Sequence, residues 1–187
     1  LCGGDTTFSN TLSFTITSLG FSNKIIYRNK ARLNDDIYVT GNLGDSYLGL
    51  KALSNKTKFT NKDKLFFVDK YYKPDLPLNL TKYLLKFANS SIDVSDGLID
   101  DLSKMINRQY LSFHLFEKNI PVSNKLSNFI KTHKLNKINL ISNGDDYQVL
   151  FTADINKARI IQNASKTTGI KITKIGKIVS GDTRSYI

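Results

Sequence analysis

A chain of 187 residues is long enough for one large domain or two small ones, with a real core. Hydrophobic residues make up 40% and charged residues 23%, which argues against disorder, and no apolar run approaches the ~18 residues of a membrane span. The formal charge of +11 first suggests nucleic acid, yet only five of the 27 cations are arginine and the lysines are scattered, so the charge reads as solvated surface.

Neither a nucleic-acid nor a membrane partner is expected. The single cysteine, Cys2, excludes an internal disulfide framework and a cysteine zinc site. No export signal opens the chain, so a cytoplasmic location is expected. The first residue is Leu1 rather than a methionine, which suggests that sequence before it is missing.

In chain order, Thr11 to Thr17 alternates apolar Leu12, Phe14 and Ile16 with threonine and serine, which predicts a half-buried strand. Ile37 to Thr40 predicts a second strand. Asp45 is the expected N-cap of a helix reaching about Leu53. Leu53 to Asp63 is polar and reads as a surface loop. Tyr71 to Leu78 carries Pro74 and Pro77 and reads as an extended connector.

Leu80, Leu84, Phe87 and Ala88 fit a short amphipathic helix. Ser91 to Val94 predicts a strand. Leu98, Ile99, Leu102, Met105 and Ile106 recur at helical spacing, with Asp100, Asp101, Ser103 and Lys104 opposite and Asp96 as the expected cap. Tyr110 to Phe116 predicts a strand, and Val122, Leu126, Phe129 and Ile130 a helix. A turn at Asn143 to Asp146 leads into the strand Tyr147 to Thr152. Asp154 caps a helix that Gly169 ends, and Ile170 to Val179 is the last strand, closed by a Gly181-Asp182 turn. Elements of both kinds, joined partly by hairpin-like turns, give an α+β fold without internal repeats.

The motifs exclude several chemistries. GxxxxGK[ST], GxGxxG and GxSxG are all absent, and neither His114 nor His133 sits in a metal-binding pattern. Aspartates on turns remain. Fifteen of the sixteen acidic residues are aspartate, and Asp5, Asp45, Asp96, Asp145 and Asp146 lie beside glycine or in glycine turns. Aspartate in a turn is ordinarily a cap. In Asp93-Val94-Ser95-Asp96-Gly97, however, two carboxylates flank a strand-to-helix turn. Such a pair suits a divalent cation bridging to phosphate, for which Mg²⁺ is the natural choice. Gly3-Gly4-Asp5-Thr6-Thr7 allows the same, with glycines that let backbone amides approach a ligand.

Taken together, GGDTT (3–7), IYVTGNLGDSYLGL (37–50), YYKPDLPL (71–78), SIDVSDGLIDDL (91–102), NGDDYQVLFT (143–152) and ITKIGKI (172–178) resemble the thiamine-monophosphate kinase family. That family belongs to the superfamily of aminoimidazole ribonucleotide synthetase and selenophosphate synthetase. The resemblance implies transfer of the γ-phosphoryl group of ATP to thiamine monophosphate, with Mg²⁺, to give thiamine diphosphate. It implies that residues 1–20 end an N-terminal ATP- and Mg-binding domain and that residues 21–187 form the C-terminal α+β domain.

The same resemblance implies site roles. Gly4, Asp5, Arg28 and Ser95 would contact ATP. Asp5, Asp93 and Asp96 would bind Mg²⁺. Asp145 would touch the substrate, where the family places a glutamate. No covalent nucleophile is expected. Family members are longer at the N-terminus, and that part carries further metal ligands and most of a homodimer surface, so this chain alone is expected not to turn over. The alternatives are another ATP-dependent member of the superfamily and a non-catalytic remnant domain.

Overall fold

Strand β1, Asp36–Thr40, is buried along its whole length and faces two cores. Ile37 and Val39 point into one hydrophobic cluster and Tyr38 into another, as the two-residue period of a strand requires. A strand with both faces covered must lie inside its sheet, and β1 does. With β2 (Ala88–Asp93), β3 (Leu111–Leu115), β4 (Val149–Ala153) and β5 (Ile172–Ser180) it forms a five-stranded sheet of order β2-β4-β1-β5-β3. Each of the four neighbouring pairs is antiparallel. The computed structural model describes residue 4, residues 6–54 and residues 59–181.

Seven α-helices complete the described chain: α1 (Asp45–Leu53), α2 (Asn61–Tyr72), α3 (Thr81–Leu84), α4 (Leu98–Met105), α5 (Asn124–His133), α6 (Lys137–Ile141) and α7 (Ala158–Thr168). One sheet face packs on Leu98, Leu102 and Met105 of α4, which recur at the spacing of a helical stripe. The other packs on Leu80, Leu84 and Phe87 together with Ile161 and Ala164 of α7. A third cluster joins Leu48 of α1, Phe67 of α2, Phe129 of α5 and Leu140 of α6. Among the described residues no helix is long and apolar enough to cross a membrane.

Several expectations need correction. Residues 11–17 form no strand: Leu12, Phe14 and Ile16 are 84–89% exposed and no ladder pairs with them. An alternating pattern becomes a strand only where a neighbour takes up its N–H and C=O groups. The loop expected from Leu53 to Asp63 ends early. Thr60 caps α2 by accepting a hydrogen bond from Asp63 N, and that helix runs to Tyr72, into the expected connector. Helix α6 had no expected counterpart. Asp45 is the first residue of α1 and not its cap, a position held by Gly44. Asp154 caps the 3₁₀ turn Ile155–Lys157 that precedes α7, and Gly169 ends α7 in the left-handed region at φ 69°. Asp182 lies outside the described residues.

Candidate functional site

The turn between β2 and α4 is held by a side chain that sequence reading placed on the solvent face. Asp101 is fully buried, and one of its carboxylate oxygens accepts the backbone N–H groups of Ser95, Asp96 and Gly97 at 3.0, 3.0 and 3.1 Å. Asp96 therefore does not cap α4. Asp101, one turn inside the helix, reaches back and satisfies donors that a helix start leaves free. Its other oxygen accepts from Lys104 Nζ at 2.9 Å, and the same ammonium pairs with Asp96. These two carboxylates, Asp101 first, hold the Lys104 pKa well above the usual lysine range.

The turn before β4 docks on that one. Asp145 N donates to Ser95 O at 3.0 Å and Tyr147 N to Val94 O at 2.9 Å. The approach is so close that a Cβ on Gly144 would stand 1.6 Å from Ser95 O. Likewise a Cβ on Gly97, at φ +117°, would stand 2.3 Å from Ser142 O, so both glycines are required by space. Asp145 (φ 67°) and Tyr147 (φ 50°) occupy the left-handed region without being glycine. Strain of this kind, of order 1 kcal/mol or more per residue, is retained where surrounding contacts over-determine the backbone, and it clusters at functional sites. The Tyr147 hydroxyl donates to Asp145 Oδ1 at 3.4 Å. Partial burial, then the charge of Asp145, raises the Tyr147 pKa.

The structure thus brings together four of the residues singled out from the sequence. Asp93 ends β2, Ser95 and Asp96 follow it, and Asp145 is locked against Ser95. Asp93 and Asp96 are exposed. Asp93 also borders a hollow of about 330 Å³ shared with Ser22, Lys24 and Ile26, so the N-terminal stretch passes beside it. Gly4 is exposed with open space around it, Arg28 is exposed, and Asp5 lies outside the described residues. Among the described residues no three carboxylate, histidine or cysteine side chains stand close enough to hold a metal ion by themselves. Asp93 and Asp96 are hard oxygen donors of the kind Mg²⁺ takes, with substrate phosphates and water completing its shell. His133 stacks on Phe129 at 4.0 Å, and its Nδ1 lies 3.0 Å from Phe129 O, a structural role.

A second acidic pair lies across the same loop. Asp146 accepts from Gly44 N at 2.7 Å, and Asp45 accepts from the Ser123 hydroxyl at 2.7 Å. Both border a cavity of about 540 Å³ with Ser46, Lys70, Lys125 and Gln148. Burial pushes the Asp45 carboxyl up to about 6 and that of Asp146 up to about 7. These two serve the start of α1.

No protein-family model matches the chain. Over 180 residues it is 35% identical to a thiamine-monophosphate kinase of Haemophilus influenzae, covering 95% of this chain and 54% of the relative. Against that of Buchnera aphidicola subsp. Schizaphis graminum the identity is 35% over 186 residues, covering 97% and 57%. The chain is a relative of the thiamine-monophosphate kinases. It spans about half the length of the curated relatives it matches.

Among solved structures, the thiamine-monophosphate kinase of Stenotrophomonas maltophilia K279a superposes with a TM-score of 0.75 at 27% identity, over 86% of this chain and 52% of that one. AaThiL complexed with AMPPCP and TMP superposes with a TM-score of 0.73 at 28% identity, over 86% and 50%. The hydrogenase maturation protein HypE of E. coli, at a TM-score of 0.64 and 14% identity, shares the fold alone. The fold expectation holds: this is the aminoimidazole ribonucleotide synthetase-like α+β fold. Asp101, Lys104 and Tyr147 were missed as site residues. The only sequence signal for Asp101 was its place one helical turn after Gly97, where a side chain can reach back to the helix start.

Proposed function

We propose that this chain contributes the acidic phosphate-handling loops of an ATP-dependent phosphotransferase that forms thiamine diphosphate from thiamine monophosphate. One observation carries the reading. The Ser95–Asp96 and Asn143–Asp145 turns are locked together so that Asp93, Ser95, Asp96 and Asp145 share one end of the sheet, in a chain related along nearly its whole length to thiamine-monophosphate kinases. Residues 21–187 form the C-terminal α+β domain of such an enzyme, and residues 1–20 close a preceding ATP-binding domain. Residues 6–25 are exposed and Ile26 is the first residue packed against a core, which supports an N-terminal stretch separate from the C-terminal domain. The enzyme would be cytoplasmic and homodimeric, without a nucleic-acid or membrane partner.

Phosphoryl transfer asks the protein for positioning and charge compensation rather than a nucleophile. Asp93 and Asp96 would hold Mg²⁺, which supplies the neutralisation that two phosphorylated substrates need to approach each other. Ser95, half-buried with its carbonyl fixed by Asp145 N, would present its hydroxyl to the nucleotide. Asp145, half-buried on a left-handed backbone beside the Tyr147 hydroxyl, would contact thiamine monophosphate. Gly4, Asp5 and Arg28 would reach ATP from the N-terminal stretch, with Asp5 a further Mg²⁺ ligand.

Isothermal titration of the chain with AMPPCP in Mg²⁺, then with thiamine monophosphate, tests this. Saturable binding is expected, weakened about tenfold or more by Asp93→Asn or Asp96→Asn. Absence of binding, or unchanged affinity in both variants, would overturn the reading. Another ATP-dependent chemistry on this fold is the alternative, and preference for another phosphate acceptor in a substrate panel would favour it.

A further inference from the structure

The ammonium of Lys104 lies between two carboxylates of unlike character. Asp101 has 1% of its side chain exposed and is fixed by three backbone N–H groups, so it cannot leave. Asp96 has 64% of its side chain exposed, and Lys104 is its ion-pair partner. Lys104 itself is 38% exposed at the end of α4, so its head is free to shift while Asp101 keeps hold of it. A buried carboxylate left without a partner is costly, whereas an exposed one is readily hydrated. Lys104 is therefore tied to Asp101 and only lent to Asp96.

We propose that Lys104 is a resident counter-ion of Asp96, holding that carboxylate until a divalent cation takes its place and then falling back on Asp101 alone. The proposal rests on the reading of Asp96 as a metal ligand. Lys104 is a positioning residue in this scheme and touches no substrate. Its charge lowers the affinity of Asp96 for a cation, because two positive centres on one carboxylate repel each other at short range. In exchange the Ser95–Asp96 turn keeps one compensated geometry when no nucleotide is present.

The test is a titration of the 187-residue chain with Mn²⁺ alone, read by the electron paramagnetic resonance of free Mn²⁺. Lys104→Met should bind Mn²⁺ about tenfold tighter than the unsubstituted chain, and the gain should vanish when Asp96→Asn is added. Equal or weaker binding in Lys104→Met, while Asp96→Asn still weakens binding, overturns the counter-ion role and leaves the metal reading standing. Absence of saturable Mn²⁺ binding in both the unsubstituted chain and Lys104→Met overturns both.

Because Lys104→Met also strips Asp101 of its partner and can unfold the turn, a second measurement uses the unsubstituted chain. The Lys104 Cε–Hε resonance should move on saturation with Mg²⁺ and stay in place in Asp96→Asn. A stationary resonance at saturation in the unsubstituted chain overturns the proposal.

Discussion

Two acidic turns lie on either side of one loop and have opposite fates. Asp45 and Asp146 are at most 5% exposed, and each accepts a hydrogen bond that anchors the start of α1. Asp93, Asp96 and Asp145 are exposed or half-exposed and stand on turns braced by other groups. The residue type is the same in both. What differs is whether the lone pairs are spent inside the fold. A buried carboxylate bonded to neighbouring donors is architecture, whereas an exposed one on a braced turn leaves oxygens open to solvent. Asp101 shows the division within a single turn: it spends one oxygen on three amides so that Asp96 beside it need spend none on the backbone.

Substitutions can break this contrast, starting with the loop common to both turns. Gly144→Ala drives a methyl group into Ser95 O and must separate the two turns, at an expected cost of about 3 kcal/mol in urea unfolding. A cost below about 1 kcal/mol would mean that the turns are not locked.

Asp146→Ala, measured near pH 5.5 where burying its charge matters least, strands Gly44 N and should cost about 2 kcal/mol.

The same pair predicts a pH slope. Both folded-state pKa values, about 6 and about 7, lie above the unfolded aspartate value, so the folded chain holds more protons between them. The stability linked to these groups is therefore present at low pH and lost as the pH rises through about 6 and 7. Urea unfolding should show a loss of at least about 1 kcal/mol between about pH 5 and about pH 7.5, and Asp146→Asn should flatten it. A stability that rises over that interval would show the two carboxylates to be ionised in the fold. The smallest effect is expected on the other side of the loop: Asp93→Asn should change stability by less than about 0.5 kcal/mol while weakening nucleotide binding, the signature of a group held for a ligand.

Much of this was legible from residue order. The stripe Leu98, Leu102, Met105 gave α4 its buried face, and residues 37–40 read as the strand that is β1. Gly169 marked the end of α7 because few other residues adopt its left-handed backbone. The errors share one cause. Leu12, Phe14 and Ile16 alternate as a strand does, yet strand formation is a property of two segments, and the described residues offer no second one. Asp96 looked like a cap because it precedes a helix, but Asp101 reached its amides from one turn inside.

Local chemistry by itself determined most of the element types, several turn positions and the concentration of aspartate on those turns, because side-chain period and backbone preference act over a few residues. It also carried the likeness to the thiamine-monophosphate kinases, which lies in short motifs. Only the tertiary structure decided which aspartates were consumed. Burial and hydrogen bonding join residues far apart in the chain, such as Gly44 with Asp146 and Ser95 with Asp145, and no local rule counts a lone pair taken up a hundred residues away.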